Sequence, residues 1–186
     1  MRLFLAVDPG DECRRRLAPV LEQVRASARA VRWVRDANIH VTLAFPGEVG
    51  EERVPGLLDA ARQLTTRHAP FSAAVTGGGA FPDWRRPRVV WLGVRDAGAL
   101  QRLGEDAGRM CASLGFPPDH PFSAHLTIGR VRAPLPAQQR ESLRTALLSL
   151  AESYPFHVER VVLMRSALSS AGSVYSEVAS LQLVGA

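Results

Sequence analysis

The sequence predicts an α+β fold made of two similar lobes. Predicted strands, which have an alternating apolar pattern, alternate with predicted helices along the 186 residues. Several of the connections are short enough for antiparallel pairing of neighbouring strands. The chain also repeats itself, because a strand that carries the motif His-x-Thr occurs in each half. An apolar fraction of 46% predicts a packed core, and the length fits a single two-lobed domain, residues 1–186.

Four segments have helical periodicity. In the first, Leu17, Leu21 and Val24 share one face, and a turn-forming Asp-Pro-Gly-Asp stretch supplies the cap before it. Pro55 falls in the first turns of the second helix, where proline is tolerated, and Gly115 is a suitable cap after the third. The predicted helices are the one that ends at about residue 29 and those at about 51–67, 97–114 and 136–152.

Short apolar or alternating runs between these helices predict the strands. Phe71–Val75 alternates, and Pro87–Val94 contains an aromatic residue, Trp91, of the kind that strands favour. The predicted strands are 2–7, 31–34, 39–45, 71–75, 87–94, 124–131, 156–164 and 174–183.

An internal echo supports the two lobes. The pairs His40 and His125, Thr42 and Thr127, Pro70 and Pro155, and Phe71 and Phe156 are each 85 residues apart. Upstream the register slips by one position, since Arg2 precedes His40 by 38 residues and Arg88 precedes His125 by 37. Four pairs at one offset predict two lobes related by a pseudo-twofold axis.

Each His-x-Thr strand is expected to have one polar face. Side chains two apart on a strand point the same way, so His40 and Thr42 share a face and Val41 points to the other. His125 and Thr127 repeat this arrangement. If a twofold axis relates the lobes, both polar faces turn into one central cleft.

Other interpretations of the motif are weaker. One histidine near a threonine on a strand is usually a half-exposed surface pair without a function. Here, however, two of only five histidines occur in the same His-x-Thr motif, one in each half. No third ligand lies at a spacing that fits a metal, and threonine is a poor ligand for zinc. No G-x-S-x-G nucleophile elbow occurs.

Two facing imidazoles suit acid–base chemistry on a phosphodiester. With an ordinary pKa of about 6.5, one imidazole can be neutral while the other is protonated near neutral pH. One takes a proton from attacking water, and the other gives a proton to the departing alkoxide. The threonine hydroxyls can donate to the phosphate oxygens, and the scheme requires no metal or other cofactor.

The paired stretches HVTL and HLTI resemble the two-histidine phosphoesterase superfamily, and most closely its RNA 2′,3′-cyclic phosphodiesterases, the LigT-like group. Further similar stretches are MRLFLAVD, GAFPDWRRPRVVWLGV and VLMRSALSSAGSVYSEV. The resemblance implies a bilobal α+β fold in which two pseudo-twofold-related antiparallel sheets, with flanking helices, enclose a central cleft.

The resemblance also implies hydrolysis of an RNA 2′,3′-cyclic phosphate to a 2′-phosphomonoester. His40 would be the proton donor, His125 the proton acceptor, and Thr42 and Thr127 would bind phosphate. Two alternatives stay open from the residues alone: 2′-5′ RNA ligation, which runs the chemistry backwards with a 5′-hydroxyl, and a non-catalytic RNA- or nucleotide-binding module.

Several further residues are candidates around the cleft. Strict alternation turns Arg130 away from His125, so Arg130 reaches the cleft only if the strand bulges near Gly129. The resemblance nevertheless implies that Arg130 binds the substrate phosphate. The same count predicts that Phe45 packs in the core. Trp84, in the loop PDWRRPR, is equally suited to stacking on a base and to a half-buried turn. Arg165 and Tyr175 flank a turn, and the sequence does not place them.

The composition limits the setting of the protein. The net charge is +5, and all 23 basic residues are arginines, which suits an anionic partner such as RNA. Cys13 and Cys111 fall in predicted helices and are expected to be free thiols in a reducing cytosol. The chain lacks an apolar run of the length that spans a bilayer, so we expect a soluble, cytoplasmic protein. On size alone we expect a monomer.

Overall fold

The computed structural model describes residues 1–150, 152–169 and 172–185. Its strands are β1 (Arg2–Val7), β2 (Arg32–Trp33), β3 (Val41–Glu48), β4 (Phe71–Phe81), β5 (Val89–Arg95), β6 (His125–Arg130), β7 (Tyr154–Val158), β8 (Arg160–Ser169) and β9 (Gly172–Gln182). Its α-helices are α1 (Gly10–Ser27), α2 (Val54–Thr65), α3 (Ala99–Ser113) and α4 (Ala137–Leu148). The predicted α+β class is confirmed.

The strands form one antiparallel sheet with two similar halves. Its order is β7-β4-β5-β6-β3-β1-β8-β9, and β2 pairs with β6 off this path. The halves meet where Val41 of β3 pairs with Leu126 of β6. The two predicted sheets are therefore joined edge to edge, and the two His-x-Thr strands lie side by side at the junction.

The chain exchanges strands between the halves. β4 follows the first motif but pairs with β5 and β7 in the second half, whereas β8 follows the second motif and pairs with β1 in the first half. The place of β4 in its half therefore corresponds to that of β8. Phe71 and Phe156 lie on neighbouring strands of one half, so their spacing of 85 residues does not reflect equivalent positions.

The helices cover the two halves in pairs. α1 and α4 pack together over β7 and β4, while α2 and α3 pack together against β3, β8 and β9. Buried leucine, isoleucine and valine side chains between these layers form the core, among them Leu5, Leu126 and Ile128. Burial of this apolar area drives the fold and fixes the sheet that carries the motifs. In the described ranges, no helix is long and apolar enough to cross a bilayer.

The predicted strand 156–164 is wrong. The structure has two strands there, β7 and β8, with a break at Glu159. β7 is the edge strand of one half, whereas β8 lies between β1 and β9 in the other. The alternation is interrupted at the break, where Glu159 and Arg160 are two consecutive exposed polar residues. This local signal does not reveal that the next strand joins the other half of the sheet.

Candidate active site

The two motif strands present their polar side chains on one face, as predicted. His40 and Thr42 are partly exposed, while Ile39, Val41 and Leu43 are buried. The second motif repeats this pattern, with Leu126 and Ile128 buried behind His125 and Thr127. Each strand thus anchors its motif through apolar side chains that pack in the core.

The junction between the halves brings the two motifs together. Continuing the antiparallel register by one residue on each side of the pair Val41–Leu126 sets His40 opposite Thr127 and Thr42 opposite His125. Side chains opposite each other on neighbouring strands have Cβ atoms about 5 Å apart, and diagonal neighbours are about 7–8 Å apart. The four side chains therefore form one cluster, in which each histidine has the other motif's threonine beside it.

Backbone carbonyls fix the tautomer of both imidazoles. His40 Nδ1 lies 2.8 Å from the carbonyl oxygen of Asn38, and His125 Nδ1 lies 2.7 Å from that of Ser123. Because a carbonyl only accepts, each Nδ1 carries a proton and donates. In the neutral rings the lone pair is then on Nε2, and at His40 this atom lies 3.0 Å from Thr42 Oγ1.

The surroundings lower the pKa of both imidazoles. Burial is the main cause of the lowered pKa of His40, reinforced by Arg14 and Arg130 and opposed by the Asn38 hydrogen bond and by Asp8. Burial also lowers the pKa of His125, reinforced by Arg130 and opposed by the Ser123 hydrogen bond. Both rings are therefore mainly neutral at pH 7 in the free protein, and bound anionic phosphate favours protonation.

A β-bulge turns Arg130 into the cleft. Trp91 of β5 pairs with Thr127 and Val90 pairs with Gly129, so Ile128 is the extra residue. Ile128 and Gly129 are both buried, and the next side chain, Arg130, is exposed on the motif's face. The expectation from strict alternation, that Arg130 points away from His125, is thus wrong. The cause is the bulge near Gly129, which the sequence analysis named as the exception.

An equivalent bulge corrects the prediction for Phe45. Ala6 of β1 pairs with Thr42 and Leu5 pairs with Ala44, which makes Leu43 the extra residue. Phe45 then points away from the core and is 45% exposed. It follows its threonine by three positions, as Arg130 does.

A cavity of about 360 Å³ lies in front of the motifs. Its wall includes His40, Thr42 and Thr127, together with Arg130 and Phe45. The sequence did not place the other eight lining residues at the site. Among them, Arg2, Phe4, Arg132 and Tyr175 carry the charges and the aromatic rings. Arginines and aromatic rings around a phosphate-sized centre suit a nucleotide.

Aromatic rings pack against both imidazoles. Phe4 stacks on His40 with ring centroids 4.8 Å apart, and Tyr175 meets His40 edge-on at 5.4 Å. His125 is not in the wall of the cavity; it lies beside it and meets Phe81 edge-on at 5.1 Å. The two histidines therefore differ in setting, and His40 is the more enclosed of the pair.

Of the remaining candidate residues, only Tyr175 lies at the cavity. Tyr175 lines the cavity, whereas Arg165 is an exposed residue of β8 outside its lining. Trp84 packs partly against the core, which favours the half-buried turn. Cys13 and Cys111 are free and buried in α1 and α3, as predicted.

Comparison with known proteins defines the family. The family model described as LigT like Phosphoesterase matches the chain twice, over residues 7–91 and 92–175. The chain belongs to this LigT-like phosphoesterase family. A relative from Archaeoglobus fulgidus, named RNA 2′,3′-cyclic phosphodiesterase, is 42% identical over 132 residues, which cover 71% of this chain and 73% of the relative. A relative of the same name from Methanothermobacter thermautotrophicus is 31% identical, with 98% and 99% covered.

Solved structures agree with this assignment. A crystal structure of a Thermus thermophilus protein superimposes with a TM-score of 0.83 at 31% identity, covering 100% of this chain and 99% of the other. Escherichia coli LigT in complex with 3′-AMP superimposes with a TM-score of 0.72 at 28% identity, covering 98% and 97%. The resemblance seen in the sequence is thus confirmed at the level of family and fold.

Proposed function

We propose that this protein hydrolyses the terminal 2′,3′-cyclic phosphate of RNA to a 2′-phosphomonoester, with His40 as the proton donor and His125 as the proton acceptor. The observation that carries the proposal is the junction of the halves, which sets the two His-x-Thr motifs side by side. The relatives named RNA 2′,3′-cyclic phosphodiesterase support the substrate, as does the binding of 3′-AMP by Escherichia coli LigT.

The proposed reaction balances with water as the co-substrate. His125 Nε2 takes a proton from water while the water oxygen bonds to phosphorus. The bond from phosphorus to O3′ breaks, and protonated His40 gives its Nε2 proton to O3′. The products are a 3′-hydroxyl and a 2′-phosphate, and the exchange leaves His125 protonated and His40 neutral until solvent restores them.

The division of roles rests on the resemblance to the LigT-like phosphoesterases. Asp8 raises the pKa of His40, but burial, Arg14 and Arg130 lower it, so the pKa of both rings is lowered. Bound anionic phosphate favours the protonated donor, because a nearby negative charge stabilises the charged ring.

The phosphate is assigned to the threonines and to Arg130. Thr42 and Thr127 flank the imidazoles, and their hydroxyls can donate to the non-bridging oxygens. The Arg130 charge acts on the pKa of both histidines, so its guanidinium lies within electrostatic reach of both rings. A cation there stabilises the charge that develops on phosphorus oxygens during attack.

The proposal takes residues 1–186 as one two-lobed domain that acts as a monomer on RNA ends in the cytoplasm. It assigns no role to a metal. We expect hydrolysis to proceed at an unchanged rate after treatment with EDTA and removal of the chelator. A rate that falls on chelation and returns with an added divalent cation would contradict this part of the proposal.

Product analysis tests the proposed function. The purified protein is incubated with a ribo-oligonucleotide that ends in a 2′,3′-cyclic phosphate, and phosphorus NMR identifies the oxygen that keeps the phosphoryl group. We expect the 2′-phosphomonoester. A 3′-phosphate or binding without turnover would contradict the proposal. A second sample contains an oligonucleotide with a 5′-hydroxyl, and a longer product as the main outcome would identify a ligase instead.

A further inference from the structure

Arg14, on α1, donates hydrogen bonds to residues 36 and 39 of the segment that precedes His40. Its side chain is 16% exposed. Nε donates to the carbonyl oxygen of Asp36 at 3.2 Å, and one terminal nitrogen donates to that of Ile39 at 3.3 Å. The same nitrogen lies 2.8 Å from Asp8 Oδ1. One guanidinium thus joins the end of β1 to both ends of the turn before β3.

This turn determines the orientation of the His40 ring. Residues 36–38 form a single 3₁₀ turn, and the Asn38 carbonyl accepts the hydrogen bond from His40 Nδ1. The side-chain amide of Asn38 donates through Nδ2 to the carbonyl oxygen of Ser173 at 3.0 Å, which ties the turn to β9. A shift of the turn would therefore move the carbonyl that sets the tautomer and the angle of the imidazole.

We propose that Arg14 is a positioning residue for His40, which holds the 36–39 backbone in place so that Nε2 is aimed at the leaving oxygen. The inference rests on the proposed function, because it assumes that His40 transfers a proton. Arg14 does not line the cavity that holds Thr42, Phe45 and Arg130. It lines a separate, small cavity of about 70 Å³ that His40 also lines. Its effect is therefore expected on the chemical step more than on binding.

The second half of the chain offers a matched control. Arg14 follows Asp8 by six positions, and Arg102 follows Asp96 by six. Asp8 accepts from the backbone N–H of Gly10 at the start of α1, and Asp96 accepts from that of Leu100 at the start of α3. Arg102, unlike Arg14, is exposed. The variant Arg102→Gln thus removes the same group from the same turn of an equivalent helix.

The experiment measures kcat and KM for a nucleoside 2′,3′-cyclic phosphate in Arg14→Gln, Arg14→Lys and Arg102→Gln. We expect kcat to fall by roughly 10²-fold in both Arg14 variants with little change in KM, because displacement of a reacting group by about 1 Å has effects of this size. Lysine keeps the charge but not the planar fork that reaches two carbonyls. If Arg14→Gln does not fold, Arg14→Lys carries the test.

A titration of His40 by NMR separates positioning from general loss of structure. The charged or titratable groups that line the two cavities next to His40 are Asp8, Arg14 and Glu177 in the smaller one, Arg2, Arg130 and Arg132 in the larger one, and Tyr175 in both. Arg14 lowers the pKa of His40 and Asp8 raises it. The pKa of His40 should therefore rise in Arg14→Gln, where Asp8 loses its partner, and stay near the wild-type value in Arg14→Lys and Arg102→Gln.

The two proposals fail in different ways. If the wild-type protein does not hydrolyse the cyclic phosphate, the proposed function is wrong, and the NMR titration still tests the contact between Arg14 and His40. If the wild-type protein is active and both Arg14 variants match Arg102→Gln in kcat, Arg14 has no positioning role.

Discussion

At the scale of single residues, the site depends on the backbone carbonyl groups of Asn38 and Ser123, which no sequence motif predicts. Each motif imidazole donates Nδ1–H to the carbonyl two positions before it, which leaves Nε2 for the proposed reaction. The residue types His and Thr were predictable because they carry the chemistry. The tautomer was not, because any residue at position 38 or 123 supplies the same carbonyl. The backbone conformation determines whether that carbonyl faces Nδ1, and therefore which tautomer forms.

The lowered pKa values make a prediction for the pH dependence. Under the proposed roles, the free enzyme is active when His40 is protonated and His125 is neutral, so kcat/KM should be bell-shaped, with its maximum at the mean of the two pKa values. Burial lowers the pKa of both rings. The maximum should therefore lie below about pH 6.5, the ordinary value for histidine.

Steady-state profiles with a cyclic phosphodiester check this, because the substrate stays a monoanion over the whole range. The maximum of kcat should lie at higher pH than that of kcat/KM, since bound anionic phosphate raises the pKa of both imidazoles. A kcat/KM maximum above pH 7, or a profile with one limb, would contradict the assignment.

Phe45 is expected to bind the base of the terminal nucleotide. Its ring is partly exposed, stacks on Phe4 with centroids 6.2 Å apart, and has the Arg2 guanidinium 5.0 Å from its centroid. Stacking of a base on an aromatic ring contributes about 1–3 kcal/mol. Phe45→Ala should therefore raise KM for a cyclic nucleotide by about 5- to 150-fold, with a smaller effect on kcat.

The matched control for Phe45 is Leu148→Ala, since Leu148 is an exposed apolar residue at the end of α4 and outside the cavity lining. Steady-state kinetics on both variants give the comparison. Equal KM values for the two variants would show that Phe45 does not contact the base.

At the scale of elements, two equivalent bulges shape the cleft. From His40 to Pro46 and from His125 to Val131 the burial pattern is the same, with two consecutive buried residues after each threonine. A bulge changes which side chains share a face, so the third residue after each threonine reaches the cleft. The sequence did contain a signal for this: a small residue, Ala44 or Gly129, stands two positions after each threonine.

Gly129→Ala tests the second bulge. A Cβ atom at this position would lie 2.6 Å from Val31 Cγ1 and 2.9 Å from the Trp33 ring. Overpacking of this kind costs about 1–3 kcal/mol. In a chain of this size, that lowers the melting temperature by about 2–12 °C. Activity should fall as well, because the neighbouring Arg130 is displaced.

The control for Gly129 is Gly56→Ala in α2, where a Cβ atom would have no neighbour within 4 Å. Alanine is the better helix former, so this variant should match or slightly exceed the wild type in melting temperature. Thermal denaturation followed by circular dichroism measures both. A Gly129→Ala protein as stable and active as Gly56→Ala would rule out a packing role for the glycine.

At the scale of the whole molecule, local pattern and topology were unequally predictable. The helices and most strands follow from apolar periodicity, and the duplicated motif identified the halves. The exchange of β4 and β8 between the halves was not predictable, because pairing partners are distant in sequence and either arrangement buries the same faces. For the same reason the break between β7 and β8 was missed, and Phe71 and Phe156 were paired wrongly.

Hydrolysis rates of three histidine variants test the central claim most directly. We compare His40→Ala, His125→Ala and His120→Ala on a nucleoside 2′,3′-cyclic phosphate, with His120 as an exposed histidine outside both motifs. Loss of a general acid or base typically lowers the rate by 10² to 10⁴. We predict that kcat falls by about this factor in His40→Ala and His125→Ala, with melting temperatures near the wild-type value. A folded His40→Ala or His125→Ala protein that hydrolyses the substrate as fast as His120→Ala would contradict the account.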